Sequence, residues 1–206
     1  MGTAPSLAEH LSRHPHLLDG VLTGRFFEPL EDLNKLSSDL TSQLAHSEDF
    51  QDTLDASRRW THDREFQIGM QLLRGNISGE DSGYFLSDVA EATLGGILPH
   101  VEFEFQRTHG QLLGSEFAIV GFGKLGGREI TFSSDLDLVF IYRGKDTGPK
   151  ESDGQRPLPI SQYYGRLSQR LVSALNSLTP ERKLYKVDAR LRPSGSASPL
   201  ASEMGG

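Results

Sequence analysis

A chain of 206 residues holds enough sequence for one domain of ordinary size or two small ones, and needs no covalent staple to build a core. It contains no cysteine, which excludes a disulfide framework, a thiolate metal site and a cysteine nucleophile. A net charge of −7 excludes broad phosphate neutralisation of nucleic acid, and the opening MGTAPSLAEHLSRHP has no apolar stretch flanked by positive charge.

No apolar run reaches membrane-spanning length, so the expectation is a cytoplasmic protein with neither nucleic acid nor membrane as partner. Up to about Gly110 apolar residues recur at three- and four-residue spacing, the period of helices with one buried face. Leu33, Leu36, Leu40 and Leu44 form one stripe, and Phe66, Met70 and Leu73 form another. A longer helix is predicted from about Tyr84 to Arg107 through Phe85, Val89, Ala92, Leu94, Leu98, Val101 and Phe105. Ser82 is a candidate cap for its start and Gly110 for its end, while Gly95, Gly96 and Pro99 predict a kink or a split.

Near Ser115 the pattern changes. Phe117-Ala-Ile-Val reads as a short buried strand leading into a glycine-rich turn, and Leu136 to Tyr142 as a second strand. The charged, Gly- and Pro-rich stretch from Arg143 to Pro159 predicts an exposed, flexible loop. Helical spacing returns from Ile160 to Leu178 through Tyr164, Leu167, Leu171, Val172 and Leu175. Lys183 to Leu191 then alternates as a strand. These patterns divide the chain into a helical region, 1–112, and a second domain, 113–206. The ending Met204-Gly205-Gly206 carries no capping element, which reads as a C-terminal truncation.

The chemistry concentrates in GKLGGREITFSSDLDLVFIY, Gly123 to Tyr142. In a strand Asp135 and Asp137 project to one face, roughly 6.5 to 7 Å apart at Cα, while Leu136, Leu138 and Phe140 point into the core. Two neighbouring carboxylates need positive charge between them, and a hard divalent cation such as Mg²⁺ fits oxygen donors of this kind. In YKVDARLRP the residues Lys186, Asp188, Arg190 and Arg192 share a face, which adds a third carboxylate and cations able to meet phosphate charge. Three carboxylates suffice for two-metal phosphoryl or nucleotidyl transfer. The plainer alternative is a solvated strand end for the aspartates and surface ion pairs for the arginines. The seven His residues are scattered and read as structural or exposed, and Trp60 as core.

Gly121-Phe122-Gly123-Lys124-Leu125-Gly126 formally matches the GxGxxG of dinucleotide folds. Only LGGREITFSS separates it from the next strand, too little for a crossover helix, and the acids open that strand rather than close it. A phosphate-binding P-loop fails as well, because Leu125 stands where Ser or Thr must follow the Gly-Lys pair.

These residues resemble the bacterial glutamine synthetase adenylyltransferases, members of the polymerase-beta-like nucleotidyltransferase superfamily. The resemblance runs through GKLGGREITFSSDLDLVFIY, YGRLSQRLVSAL and YKVDARLRPSG, and through the approach RRWTHDREFQIGMQLLRG. It implies an α+β fold in which a small mixed sheet with flanking helices follows a helical region. By the same resemblance Asp135, Asp137 and Asp188 match the metal-binding acids, for Mg²⁺ with Mn²⁺ as a substitute. Gly123, Lys124 and Ser134 fall in the nucleotide-binding turn, and Arg190 and Arg192 in an arginine motif. Lys124 stands where the superfamily usually has Gly or Ser.

Family proteins carry two related halves, one attaching AMP from ATP to a tyrosine of glutamine synthetase and one removing it by phosphorolysis. The RLRPSG form and the approach segment are more similar to the C-terminal, adenylylating half, since the removing half tends toward Phe after the proline. The resemblance thus implies a multifunctional enzyme of nitrogen metabolism, with ATP as substrate and glutamine synthetase as target. The PII signal protein would act through the full-length enzyme. Removal of AMP and a silent regulatory or nucleotide-binding module are the alternatives that the residues leave open.

Overall fold

The computed structural model describes residues 24–144, 148–177, 183–190 and 200–204. After a 3-10 turn at Arg25–Phe27 come helices α1 (Leu33–Leu44), α2 (Phe50–Arg74) and α3 (Gly79–His109). Strand β1 (Glu116–Phe122), the one-turn helix α4 (Gly123–Gly126) and strand β2 (Leu136–Arg143) follow. Helix α5 (Ile160–Asn176) and the short strands β3 (Val187–Asp188) and β4 (Ala201–Glu203) complete the described fold. It is the expected α+β arrangement of a small mixed sheet with flanking helices. Among the described residues no helix is long and apolar enough to cross a membrane.

Local chemistry sets the helix starts. Asp32 accepts the Lys35 amide at 2.9 Å and Asp49 the Asp52 amide at 2.8 Å, each satisfying a first-turn donor that has no helical partner. Helix α3 is capped four residues before the expected position. Ser78, not Ser82, caps it in a reciprocal capping box with Asp81. It also runs unbroken through Gly95, Gly96 and Pro99 to the expected end at Gly110. Pro99 and Gly95 both lie on the exposed face, so the carbonyl that loses its helical partner meets water. Gly96 has a different use, because a Cβ there would stand 2.7 Å from Leu40 Cδ2, so glycine permits the close crossing of α1 and α3.

Leu36, Leu40 and Leu44 are buried as their spacing predicts. The second stripe is corrected: Phe66 is buried, Met70 is half-buried and Leu73 is exposed, while Ile68, Gln67 and Gln71 turn inward. Gln71 explains part of this rotation, since its amide donates to the Glu28 carbonyl at 2.6 Å and fastens the 3-10 segment to α2. Trp60 is core, and its indole N–H donates to Asp39 on α1 at 2.7 Å.

β1 and β2 pair antiparallel, Glu116 opposite Arg143 through Phe122 opposite Asp137. The antiparallel pairing and the single helical turn between these strands exclude a dinucleotide-binding crossover, as the spacing predicted. β1 is half-buried rather than buried, and among the described residues it is paired on one side only. β3 and β4 both pair parallel to β2 along its other edge, β3 at Leu136 and Asp137 and β4 at Phe140 to Tyr142. Tyr164 of α5 stacks on Phe117 and Tyr142, which seats α5 on the sheet.

The loop after β2 is also corrected. In its described part, 148–159, Ser152 and Leu158 are buried and the backbone N–H groups of Asp153, Gly154 and Arg156 donate to carbonyls of Gln111, His109 and Thr108. Gly110 and Gly154 approach so closely that a Cβ on either would overlap the other strand of chain. The strand expected over Lys183 to Leu191 is regular only at Val187–Asp188 in the described residues, and Leu191 lies outside them.

Candidate active site

The site lies at the end of β2 where the glycine turn and β3 meet. Leu136, Leu138 and Phe140 are almost fully buried and alternate with the partly open Asp137 and Val139, so the strand period fixes which face carries carboxylates. Asp135 immediately precedes the strand. Asp137 and Asp188 are Cα partners in the parallel register of β2 and β3, which brings an acid distant in sequence beside the first pair.

The glycine turn is shaped around Asp137. Gly123 adopts φ +53°, and a Cβ there would overlap the Asp137 carboxylate oxygen Oδ2. Any other residue would be strained twice, by backbone and by contact. Gly126 is held close to the Gly121 carbonyl, where a Cβ would stand at 2.8 Å. Lys124 is exposed, and its carbonyl accepts the Glu129 amide at 2.8 Å. Ser134 closes the turn into β2, its hydroxyl accepting the Thr131 amide at 2.9 Å. Arg128, in the left-handed region at φ +57°, pairs with Asp88 and with Glu91 at 3.5 Å on α3. The turn is therefore pinned to the helical part of the molecule.

Two cations of the chain occupy the carboxylates. Lys186 Nζ lies 2.5 Å from Asp135 Oδ2. Arg190 reaches Asp188 through Nε, 2.9 Å from each oxygen, through Nη2 and through its backbone N–H at 3.0 Å. The side-chain and backbone donors of Arg190 hold the Asp188 carboxyl down at about 2, well below the ordinary carboxylate range. Arg190 also feels the charges of Asp135 and Asp137, so all three acids share one electrostatic field. Arg192 lies outside the described residues.

An all-oxygen donor set without sulfur or imidazole suits a hard cation such as Mg²⁺ or Mn²⁺. Among the described residues no three His, Asp or Glu side chains converge as a ready metal cage. Lys186 and Arg190 take up the oxygens instead. Both cations are largely exposed, so solvent and salt screen these pairs and an incoming divalent cation can compete for the oxygens. The donor chemistry fits a divalent metal once those side chains turn to another anion.

Phe122 had no role in the motif reading. It is exposed, and it stands directly across the ladder from Asp137 on the same face. The strand alternation that groups Asp135 with Asp137 on β2 would have found it had β1 been paired to β2 in that register. Two of the histidines among the described residues sit against backbone carbonyls. His109 Nδ1 lies 2.8 Å from the Arg156 carbonyl, and His46 Nδ1 lies 2.8 Å from the Ser42 carbonyl.

An antiparallel hairpin with a glycine turn, a parallel third strand and acids at the shared strand ends are consistent with a nucleotidyltransferase domain. Residues 1–206 match the family model described as glutamate-ammonia ligase adenylyltransferase, and the chain belongs to that family. It is 43% identical over 204 residues to a bifunctional glutamine synthetase adenylyltransferase/adenylyl-removing enzyme of Brucella suis biovar 1 (strain 1330), covering 99% of this chain and 21% of that protein. Proteins of the same description from Bradyrhizobium sp. (strain ORS 278) and Rhodopseudomonas palustris (strain TIE-1) are each 41% identical over 204 residues, again 99% of this chain, and 21% and 20% of their own lengths. The chain thus spans about a fifth of the length of the curated relatives it matches.

Proposed function

We propose that this chain carries the transfer site for AMP, moving it from ATP to a tyrosine hydroxyl of glutamine synthetase with release of pyrophosphate. The observation that carries the reading is the parallel register that sets Asp137 beside Asp188, next to a turn whose Gly123 leaves room for the Asp137 carboxylate. Asp135, Asp137 and Asp188 would hold Mg²⁺, or Mn²⁺ in its place, which when bound neutralises triphosphate charge and lowers the pKa of the attacking hydroxyl.

The other residues bind and orient. Gly123 keeps the backbone of the turn close enough for its N–H groups to face phosphate oxygens, and Ser134 fixes the turn that leads into the acids. Lys186 and Arg190, released from Asp135 and Asp188, turn to the phosphates, where cations stabilise charge that grows during transfer. While Arg190 holds it, Asp188 at about 2 is too weak a proton acceptor to serve as general base, so its first role is as ligand. Phe122 offers an exposed ring beside Asp137 for the nucleobase or the acceptor tyrosine.

The names of the relatives include removal of adenylyl groups as well as transfer. Phosphorolytic removal is therefore the second reading for the same site. Incubation of the chain with unmodified glutamine synthetase and labelled ATP, and separately with adenylylated glutamine synthetase and phosphate, distinguishes the two. The proposal expects label on the unmodified target, abolished by Asp137→Asn. Label transfer that survives Asp137→Asn overturns the site assignment, and transfer of the adenylyl group to phosphate as ADP, with no label on the unmodified target, overturns the direction.

A further inference from the structure

Arg58, His62 and Glu65 stand three and four residues apart on α2 and so share one face of it. Along that face they follow the chain out of α5 toward β3. Arg58 has no exposed side-chain surface, and its Nη2 donates to the Ala174 carbonyl at 3.1 Å and to the Ser177 hydroxyl at 2.6 Å. Its Nη1 pairs with Asp55 at 3.0 Å. A helix leaves its last carbonyls without backbone partners, and here a side chain from another helix supplies the donor. One turn on, His62 Nε2 lies 3.2 Å from the Lys183 carbonyl. A further turn on, Glu65 faces the buried hydroxyl of Tyr185, at a contact too loose to count as a full hydrogen bond.

Two bonds then carry the end of α5 directly into the strand. The Tyr185 amide donates to the Leu175 carbonyl at 3.3 Å, and the Val187 amide to the Asn176 side-chain oxygen at 3.2 Å. Asp188 is the next residue. A guanidinium buried this completely is costly unless its donors are met; here Nη2 is spent on the end of α5 and Nη1 on Asp55, while Nε meets no hydrogen-bond partner among the described residues.

We infer that Arg58 is a positioning residue for Asp188, fixing the end of α5 and through it the register of β3 against β2 from the helical part of the molecule. It touches neither substrate nor metal. The inference rests on the proposed role of Asp188 in the transfer site.

The test compares wild type with Arg58→Met, Arg58→Lys and the milder Ser177→Ala, which removes one acceptor and leaves the buried charge in place. Amide hydrogen exchange and the kcat and KM for ATP in AMP transfer are read together. Exchange at Tyr185 and Val187 is expected to rise about tenfold in Arg58→Met and about threefold in Ser177→Ala, with α1 and α3 unchanged. kcat falls in the same order while KM for ATP stays within about twofold, and Arg58→Lys lies between Arg58→Met and wild type. Unchanged exchange at Tyr185 and Val187 in Ser177→Ala and Arg58→Met overturns the inference, as does loosening spread evenly over all helices in Ser177→Ala. A wild-type chain that transfers no AMP would overturn the functional reading, yet the exchange comparison would still decide the positioning.

Discussion

The helical region and the sheet region are built on opposite economies of polar groups. In α2 and α3 the interior holds Thr53, Ser57, Arg58, Thr61, Gln67, Gln71, Ser87 and Thr93, each tied to a backbone carbonyl or to another side chain. In β2 the buried side chains are Leu136, Leu138, Phe140 and the ring of Tyr142, and the charged Asp137 and Arg143 are left open or half-buried. The difference teaches where precision is needed. Interior hydrogen bonds in the helices fix how segments meet, and the sheet presents carboxylates on a face with no interior duty.

Substitutions on either side sharpen this contrast. Leu40→Ala removes a fully buried side chain at the α1–α3 crossing and is expected to cost about 3 kcal/mol of stability, measured by urea unfolding. Gly123→Ala belongs to the other side. Strain at φ +53° and overlap with Asp137 are expected to lower kcat for AMP transfer about 100-fold, with the helical circular dichroism signal retained. Equal activity in Gly123→Ala would break the contrast, because the turn would then not shape the acids.

Glu65 sits at the boundary between the two regions and gives it a pH dependence. Burial pushes its carboxyl up to about 8, against the smaller opposing effect of Tyr185. A raised pKa in the folded state means stability that is full below the ordinary 4.5 and is lost as pH rises toward 8. Glu65→Gln is expected to flatten that part of the stability profile and to be more stable than wild type at pH 8, read by thermal unfolding across the range. The smallest effect is expected for Trp60→Phe, about 1 kcal/mol, from loss of the indole hydrogen bond to Asp39.

The same contrast governs how much was legible in the sequence. β2 could be placed almost to the residue because Asp135 and Asp137 alternate with Leu136 and Leu138 at its start and the short apolar run Val139-Phe140-Ile141-Tyr142 follows. The outline of α1 and α5 was equally clear from their leucine spacing. The start of α3 was misplaced because its capping box closes with Asp81 rather than the usual Glu or Gln. Leu73 was assigned to a buried stripe because periodicity cannot know that Gln67 and Gln71 have interior partners. The loop after β2 has the composition of a free segment, yet it is held by backbone bonds to residues 108–111 that no local pattern encodes. β4 is three residues long and carries no alternation to detect. In the site, the shared face of Asp135 and Asp137 followed from strand period, whereas Gly123 rested on the family resemblance. Asp188 beside Asp137, and Lys186 on Asp135, depend on a parallel pairing across some fifty residues that only the fold supplies.

The central claim is that the three aspartates form one site for a divalent cation and ATP. Titration of the chain with Mn²⁺ in the presence of ATP, followed by electron paramagnetic resonance of free Mn²⁺, tests it directly. The account predicts protein-dependent loss of the free signal in wild type, and at most the loss due to ATP alone in Asp137→Asn and in Asp188→Asn. Equal binding by all three proteins would contradict it.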